Sequence, residues 1–220
     1  MESYFENIMA LKQIPLHIRE TICDEMRHGI EVSNLAVMLA GELGETEGFL
    51  ADIAVAGILH DIGKLRLTKY LYAEDGLVVE QMKYVRQHSE QSYEIINKAG
   101  FSREIALGIL HHHENYDGSG YPNNLRGDNI PWMARILRVC DVFAALTADR
   151  SYRNAFDPKS ALEIMIDEVA DYDMKVFLAF QRVLHREVFK IGLEQIKTVQ
   201  DQRQQEQMAL FEEELKHWVE

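Results

Sequence analysis

The sequence predicts an all-α fold: a helical bundle around a centre of inward-facing polar residues, continued by a C-terminal helical extension. Three observations predict it. Apolar residues recur at spacings of three and four along most of the chain, and no alternating polar–apolar stretch persists long enough for a sheet. The prolines sit where helices begin: Pro131 and Pro158 each open an apolar-periodic segment, and Asp157-Pro158 is an N-cap followed by N1 proline. With 220 residues, 47% hydrophobic and 27% charged, the chain has globular composition and needs no disulfide or structural metal to fold.

Taken in order, helices are expected at 15–43, 47–66, 79–98, 102–113, 131–149, 158–169 and 173–192, with a last one through about residue 217. A short hairpin or turn is expected from Tyr72 to Val79. Residues 114–130 break the pattern, with three glycines, a proline and four asparagines and no periodicity. A loop of that length inside a compact domain is usually functional. Beyond about residue 182 the composition turns polar, which suits either a charged helix along the domain or a dimerisation or partner helix. The domain reading is a short N-terminal segment (1–20), a main domain (21–181) and the extension (182–220).

Charge narrows the function. Thirty-six acidic residues against 23 basic ones give −13, which argues against a nucleic-acid polymer as partner but leaves room for a small anion in a locally positive pocket. Cys23 and Cys140 read as reduced, buried residues. The N-terminus lacks the basic segment of a signal peptide, and the strongest apolar run, Ile53 to Leu59, is too short for a bilayer, so a cytoplasmic protein without membrane association is expected.

The sharpest signal is the placement of ionisable residues on apolar faces. Asp24, His28, Val32, Leu35 and Leu39 share one face of the first helix. Leu50, Ile53, Val55, Ile58 and Leu59 read as core, and His60-Asp61 follow directly. His88 lies among Tyr84, Val85, Ser92 and Ile95, and His112-His113 end the apolar segment from Ile105. Asp141 shares a face with Ala134, Leu137, Ala145 and Ala148. Burying so many ionisable groups unpaired would cost several kcal/mol each. Divalent metal satisfies them together, because neutral imidazole and carboxylate are its ligands. Gly29, Gly57, Gly63 and Gly108 lie in helical segments near these residues, which suits close helix approach around a site, or close core packing alone. His111 reads as a bystander, since neighbouring helical residues diverge by about 100°. His17, His185 and His217 read as surface or packing residues.

His60-Asp61-Ile-Gly-Lys64 resembles the hallmark of the HD-domain phosphohydrolases. His112-His113-Glu114-Asn-Tyr-Asp117-Gly118-Ser-Gly120-Tyr121-Pro122 resembles the signature of their HD-GYP subfamily, and the segment from Arg135 through Asp141 to Arg153 resembles its last ligand helix. The resemblance covers residues 28–180 and implies an HD-domain helical bundle around a metal centre. It implies metal ligands at His28, His60, Asp61, His88, His112, His113 and Asp141, with Asp61 bridging two divalent ions, iron or manganese. A third ion in some relatives is held by a glutamate one turn before the first histidine, a position taken here by Asp24 with Glu25 beside it. Lys64, Arg150 and Arg153 are implied as phosphate contacts, and Tyr121 as part of the ligand loop. Gly118 and Gly120 flank Ser119 there and permit close backbone approach to a ligand.

The activity so implied is hydrolysis of cyclic di-GMP to linear pGpG or GMP through a metal-activated hydroxide. Asp61 and Lys64 would be the catalytic residues, Lys64 stabilising charge or protonating the leaving oxygen. The alternatives are a cyclic GMP-AMP phosphodiesterase, another HD-type nucleotide phosphohydrolase, and a non-catalytic cyclic-dinucleotide receptor. With only about 20 residues ahead of the domain, regulation is expected from a homodimer, a regulatory protein partner or expression.

Overall fold

In a computed structural model of the chain, residues 16–66, 85–149 and 154–186 are described. They form seven α-helices and two short 3-10 turns, and no strand occurs among them. The helices are α1 (Leu16–Glu42), α2 (Glu47–Leu59), α3 (His88–Lys98), α4 (Arg103–Leu110), α5 (Trp132–Thr147), α6 (Pro158–Asp167) and α7 (Met174–His185). The chain divides into a compact unit ending at Ala179 and a second beginning at Phe180. No helix among the described residues is long and apolar enough to cross a membrane.

Local sequence explains the helix starts. The side chains of Thr46, Ser102 and Asp157 accept hydrogen bonds from the backbone N–H of Phe49, Ile105 and Lys159, so each closes an otherwise open first turn. Centrally placed is α5, whose Ala134, Ile136, Leu137, Val139, Cys140 and Phe143 are all buried. A helix buried on so many sides belongs in the core, and α1, α2, α4 and α6 all pack on it. On α1, Val32, Leu35, Ala36 and Leu39 are buried in the expected stripe.

Glycines set the closest approaches. A Cβ on Gly57 would stand 2.6 Å from Ser33 Cα, and one on Gly29 would stand 2.5 Å from the Ile58 carbonyl oxygen. The two helices therefore touch backbone to backbone, each through a glycine of its own. That contact carries His28 and His60 to the same end of the α1–α2 pair.

Several expectations need correction. The second helix stops at Leu59, not residue 66, and residues 60–63 form a turn. The reason lies at Gly63, whose N–H donates to Ser92 Oγ at 2.8 Å and whose Cα presses on the backbone of His88 and Ser92, which leaves no room for a side chain. The fourth helix ends at Leu110, so His111 to His113 sit in a turn. Ile58 is 47% exposed, and the inner side of α2 is Ile53, Ala56 and Gly57 instead. Cys23 is exposed, while Cys140 is buried as expected. The expected turn from Tyr72 to Val79, Arg150, Arg153 and the final helix lie outside the described residues.

Candidate metal centre

Seven side chains fall into two groups whose donor atoms lie within 4.8 Å of one another: Asp61, His88, His112 and His113, and His28, His60 and Asp141. The first helix supplies His28, the turn after α2 supplies His60 and Asp61, α3 opens with His88, the turn after α4 holds His112 and His113, and α5 carries Asp141. Six of the seven are buried residues, His113 being intermediate.

Asp61 faces both groups. Its Oδ1 is 3.0 Å from His88 Nε2 and 3.9 Å from His112 Nε2. Its Oδ2 is 3.1 Å from His60 Nε2 and 3.9 Å from His28 Nε2. Asp141, the carboxylate of the second group, has Oδ1 2.9 Å from His28 Nε2 and 3.6 Å from His60 Nε2, and its Oδ2 lies 3.9 Å from His113 Nδ1.

Three of the imidazoles are oriented in the same way. Nδ1–H of His60, His88 and His112 donates to the carbonyl three residues earlier, that of Gly57, Val85 and Ile109. A carbonyl only accepts, so each Nδ1 carries a proton, and each ring, when neutral, turns its Nε2 lone pair inward. Gly57 and Ile109 belong to the last turns of α2 and α4, where carbonyls lack helical partners. Helix ends thus supply the outer contacts that fix the ring tautomers.

The inward nitrogens then face one another. His88 Nε2 is 3.3 Å from His112 Nε2 and 3.1 Å from His113 Nε2, and His60 Nε2 has no partner in hydrogen-bond geometry. Opposed lone pairs repel unless a cation lies between them, so the donor set fits divalent metal. Electrostatics agree for His112, His113 and the two carboxylates. Burial lowers His112 well below the usual histidine range and, with His88 adding to it, brings His113 to about 3. Burial would also lower His60, but Asp61 and Asp141 outweigh it and raise the group to about 10. Burial opposes ionisation of Asp61 and Asp141 too, yet the surrounding His60, Lys64 and His28 hold both well below the ordinary carboxylate range. Neutral His112 and His113 beside ionised Asp61 and Asp141 are in the protonation states that metal binding requires, whereas a metal would have to displace the proton from His60.

Around this core, Lys64 Nζ lies 2.6 Å from Asp61 Oδ2 and 3.0 Å from Glu25 Oε2. The other acid of that turn goes elsewhere: Asp24 is in neither donor group, has a 66% exposed side chain and pairs with Arg27 at 3.0 Å. Tyr121 stacks on His113 with centroids 4.7 Å apart and an interplanar angle of 26°. Gly120 lies against the backbone of residues 113–115, where a Cβ would collide, and Gly118 has φ +88°. Both glycines thus serve the fold of the loop.

Two residues that hold the loop, Glu114 and Arg138, escaped the sequence reasoning. Glu114 is 1% exposed, and its carboxylate accepts from the N–H of Asn123 (2.8 Å) and Leu125 (3.0 Å), tying the loop back to the histidine turn. His111, outside both donor groups, is buried with Nδ1 3.5 Å from that carboxylate. Arg138, one turn before Asp141, donates to Asn115 Oδ1 at 3.0 Å and steadies the same loop from α5. The available signal was an acid directly after a histidine run and before a glycine-rich segment.

Comparison with known proteins places this arrangement. The chain is 30% identical over 159 residues to a cyclic di-GMP phosphodiesterase of Pseudomonas aeruginosa, covering 71% of this chain and 38% of that protein. It is 31% identical over 160 residues to 3′3′-cGAMP-specific phosphodiesterase 3 of Vibrio cholerae, covering 72% and 35%. The chain therefore spans little more than a third of the length of these relatives. A solved HDG"Y"P protein of Bdellovibrio bacteriovorus shares the fold, with TM-score 0.60 at 20% identity over 74% of this chain and 53% of that one. The sequence profile of the HD domain matches residues 4–176, a span that includes all seven donors, and the chain belongs to the HD domain family.

Proposed function

We propose that the chain is a metal-dependent cyclic-dinucleotide phosphodiesterase of the HD-GYP type. The observation that carries this reading is the division of seven donors into two groups with the Asp61 carboxylate turned to both. His28, His60 and Asp141 would hold one divalent ion, iron or manganese, and His88, His112 and His113 the other, with Asp61 between them. Two ions are proposed rather than three, because Arg27 holds the Asp24 carboxylate away from the centre. Such a pair supplies Lewis-acid activation of water and neutralises charge on the phosphoryl oxygens.

The chain's own residues do the rest. Lys64, paired with two carboxylates, is held as a cation beside Asp61, where it would stabilise charge on the phosphate or on the leaving 3′-oxygen. Tyr121 forms a wall of the site by covering His113. Arg150 and Arg153 are proposed as contacts to the second phosphate. The catalytic domain is taken as 21–181, with 182–220 as its helical extension, and the protein is proposed to act in the cytoplasm. Cyclic di-GMP is the first substrate to test. Cyclic GMP-AMP is the second, because the Vibrio cholerae relative named for it is as similar as the cyclic di-GMP one.

The test is anaerobic purification with elemental analysis, then product analysis on both dinucleotides. Two iron or manganese ions per chain with linear dinucleotide or GMP released is the expected result. A metal-loaded protein that leaves both substrates intact would overturn the phosphodiesterase reading, and one that binds them without metal would favour a receptor.

A further inference from the structure

One cation beside the centre has no task in the mechanism above. Arg86 lies in the turn two residues before His88, exposed, with its guanidinium carbon 5.3 Å from the centre of the Tyr121 ring. That ring stacks on His113 and meets His88 edge-on at 6.5 Å. A donor imidazole, an aromatic ring and a guanidinium thus form one column at the border of the Asp61–His88–His112–His113 group.

The column is held in place. The Val85 carbonyl accepts from His88 Nδ1, and the Arg86 carbonyl accepts from Ser89 Oγ at 3.4 Å, so the turn carrying Arg86 is tied to the start of α3. Arg66, Arg135 and Arg138 each meet an acid within 3.5 Å. Arg86 meets none among the described residues, although the chain carries a net −13. Its guanidinium face is used on Tyr121, which leaves the N–H edge open. Stacking in this way pre-orients the fork, so little further rotamer freedom is lost when it takes a ligand.

We infer that Arg86 is a substrate-binding contact of this site, its N–H fork taking a pair of acceptor atoms on the cyclic dinucleotide while Tyr121 backs it. Two phosphate oxygens or the O6 and N7 of guanine both match that fork. Lys64 and Arg86 then border the centre, one beside Asp61 and one beside Tyr121. The inference rests on the phosphodiesterase reading above.

The experiment uses the full-length, metal-loaded protein with Arg86→Ala and Arg86→Lys. Cyclic di-GMP and cyclic di-AMP are compared as substrates or as competitive inhibitors, since they share the diester ring and only the first carries guanine. For Arg86→Ala, KM for cyclic di-GMP is expected to rise about 10- to 100-fold, the worth of a bidentate contact, with kcat changing far less. Metal content should match wild type, and Arg86→Lys should recover only part of the loss, because a point charge cannot fork. A loss confined to cyclic di-GMP places the acceptors on guanine, and an equal loss on both places them on phosphate. Unchanged constants in Arg86→Ala beside an active wild type would overturn this inference alone. A wild type that binds and cleaves neither dinucleotide would overturn the functional reading and this contact with it.

Discussion

The two donor groups share Asp61 yet are built differently. The His28–His60–Asp141 group hangs on the α1–α2 pair, where backbone touches backbone at Gly29 and Gly57. The His88–His112–His113 group comes from chain turns at helix ends. Gly63 meets backbone there, whereas Gly108 of α4 meets the Met133 side chain. Their chemistry differs as well: two imidazoles with the Asp141 carboxylate at 2.9 Å, against three imidazoles that Asp141 approaches no nearer than 3.9 Å. Carboxylate oxygen suits manganese and imidazole suits iron. The contrast shows that a two-metal centre in this fold need not have equivalent halves, in donor set or in mechanical support.

The largest expected effect comes from removing what the halves share. Asp61→Ala should lose both metal equivalents and lower turnover by at least about 10³-fold. If it retained two metals and full activity, the bridging position would be wrongly placed. Next, single-group variants should separate the halves. His60→Ala and His88→Ala are each expected to leave about one metal per chain by elemental analysis, and loss of both ions from either variant would mean that the groups load only together. Smallest are the changes to mechanical support. In Gly57→Ala the new methyl meets Ser33 main chain at 2.6 Å, so a cost of about 1–3 kcal/mol is expected from overpacking. For a chain of this size that is a fall of about 2–12 °C in Tm. Gly108→Ala meets Met133 side-chain atoms at 2.8 Å, and a methionine can yield. Its cost should be below about 1 kcal/mol, since alanine also favours the helix. Equal losses of Tm in calorimetry would erase the proposed difference in rigidity.

Much of this centre was legible because ionisable residues on apolar faces have few physical explanations. The convergence of His28, His60, Asp61, His88, His112, His113 and Asp141 follows from that placement and from the resemblance the motifs carry. What could not be read was where the helices end. Ile58, Leu59, Ile62 and Leu65 continue the apolar periodicity, so nothing local announces that the chain turns at His60. The turn is imposed from a distance by Ser92 against Gly63. The orientation of the imidazoles was hidden for the same reason, since it depends on which carbonyls the ending helices leave open. Asp24 illustrates the limit of periodicity. It falls on the same face as His28, yet Arg27 captures it, while Glu25 reaches Lys64.

The Glu114 anchor has a consequence for how freely the loop sequence can drift. Both of its donors are main-chain N–H groups, those of residues 123 and 125. Any amino acid with an amide hydrogen satisfies that anchor equally well, so the side chains at these two places are at liberty to change as substrates or partners demand. Proline is the exception, having no hydrogen to give. The loop thus tolerates broad variation at the positions that appear most closely held, while the acid holding them does not.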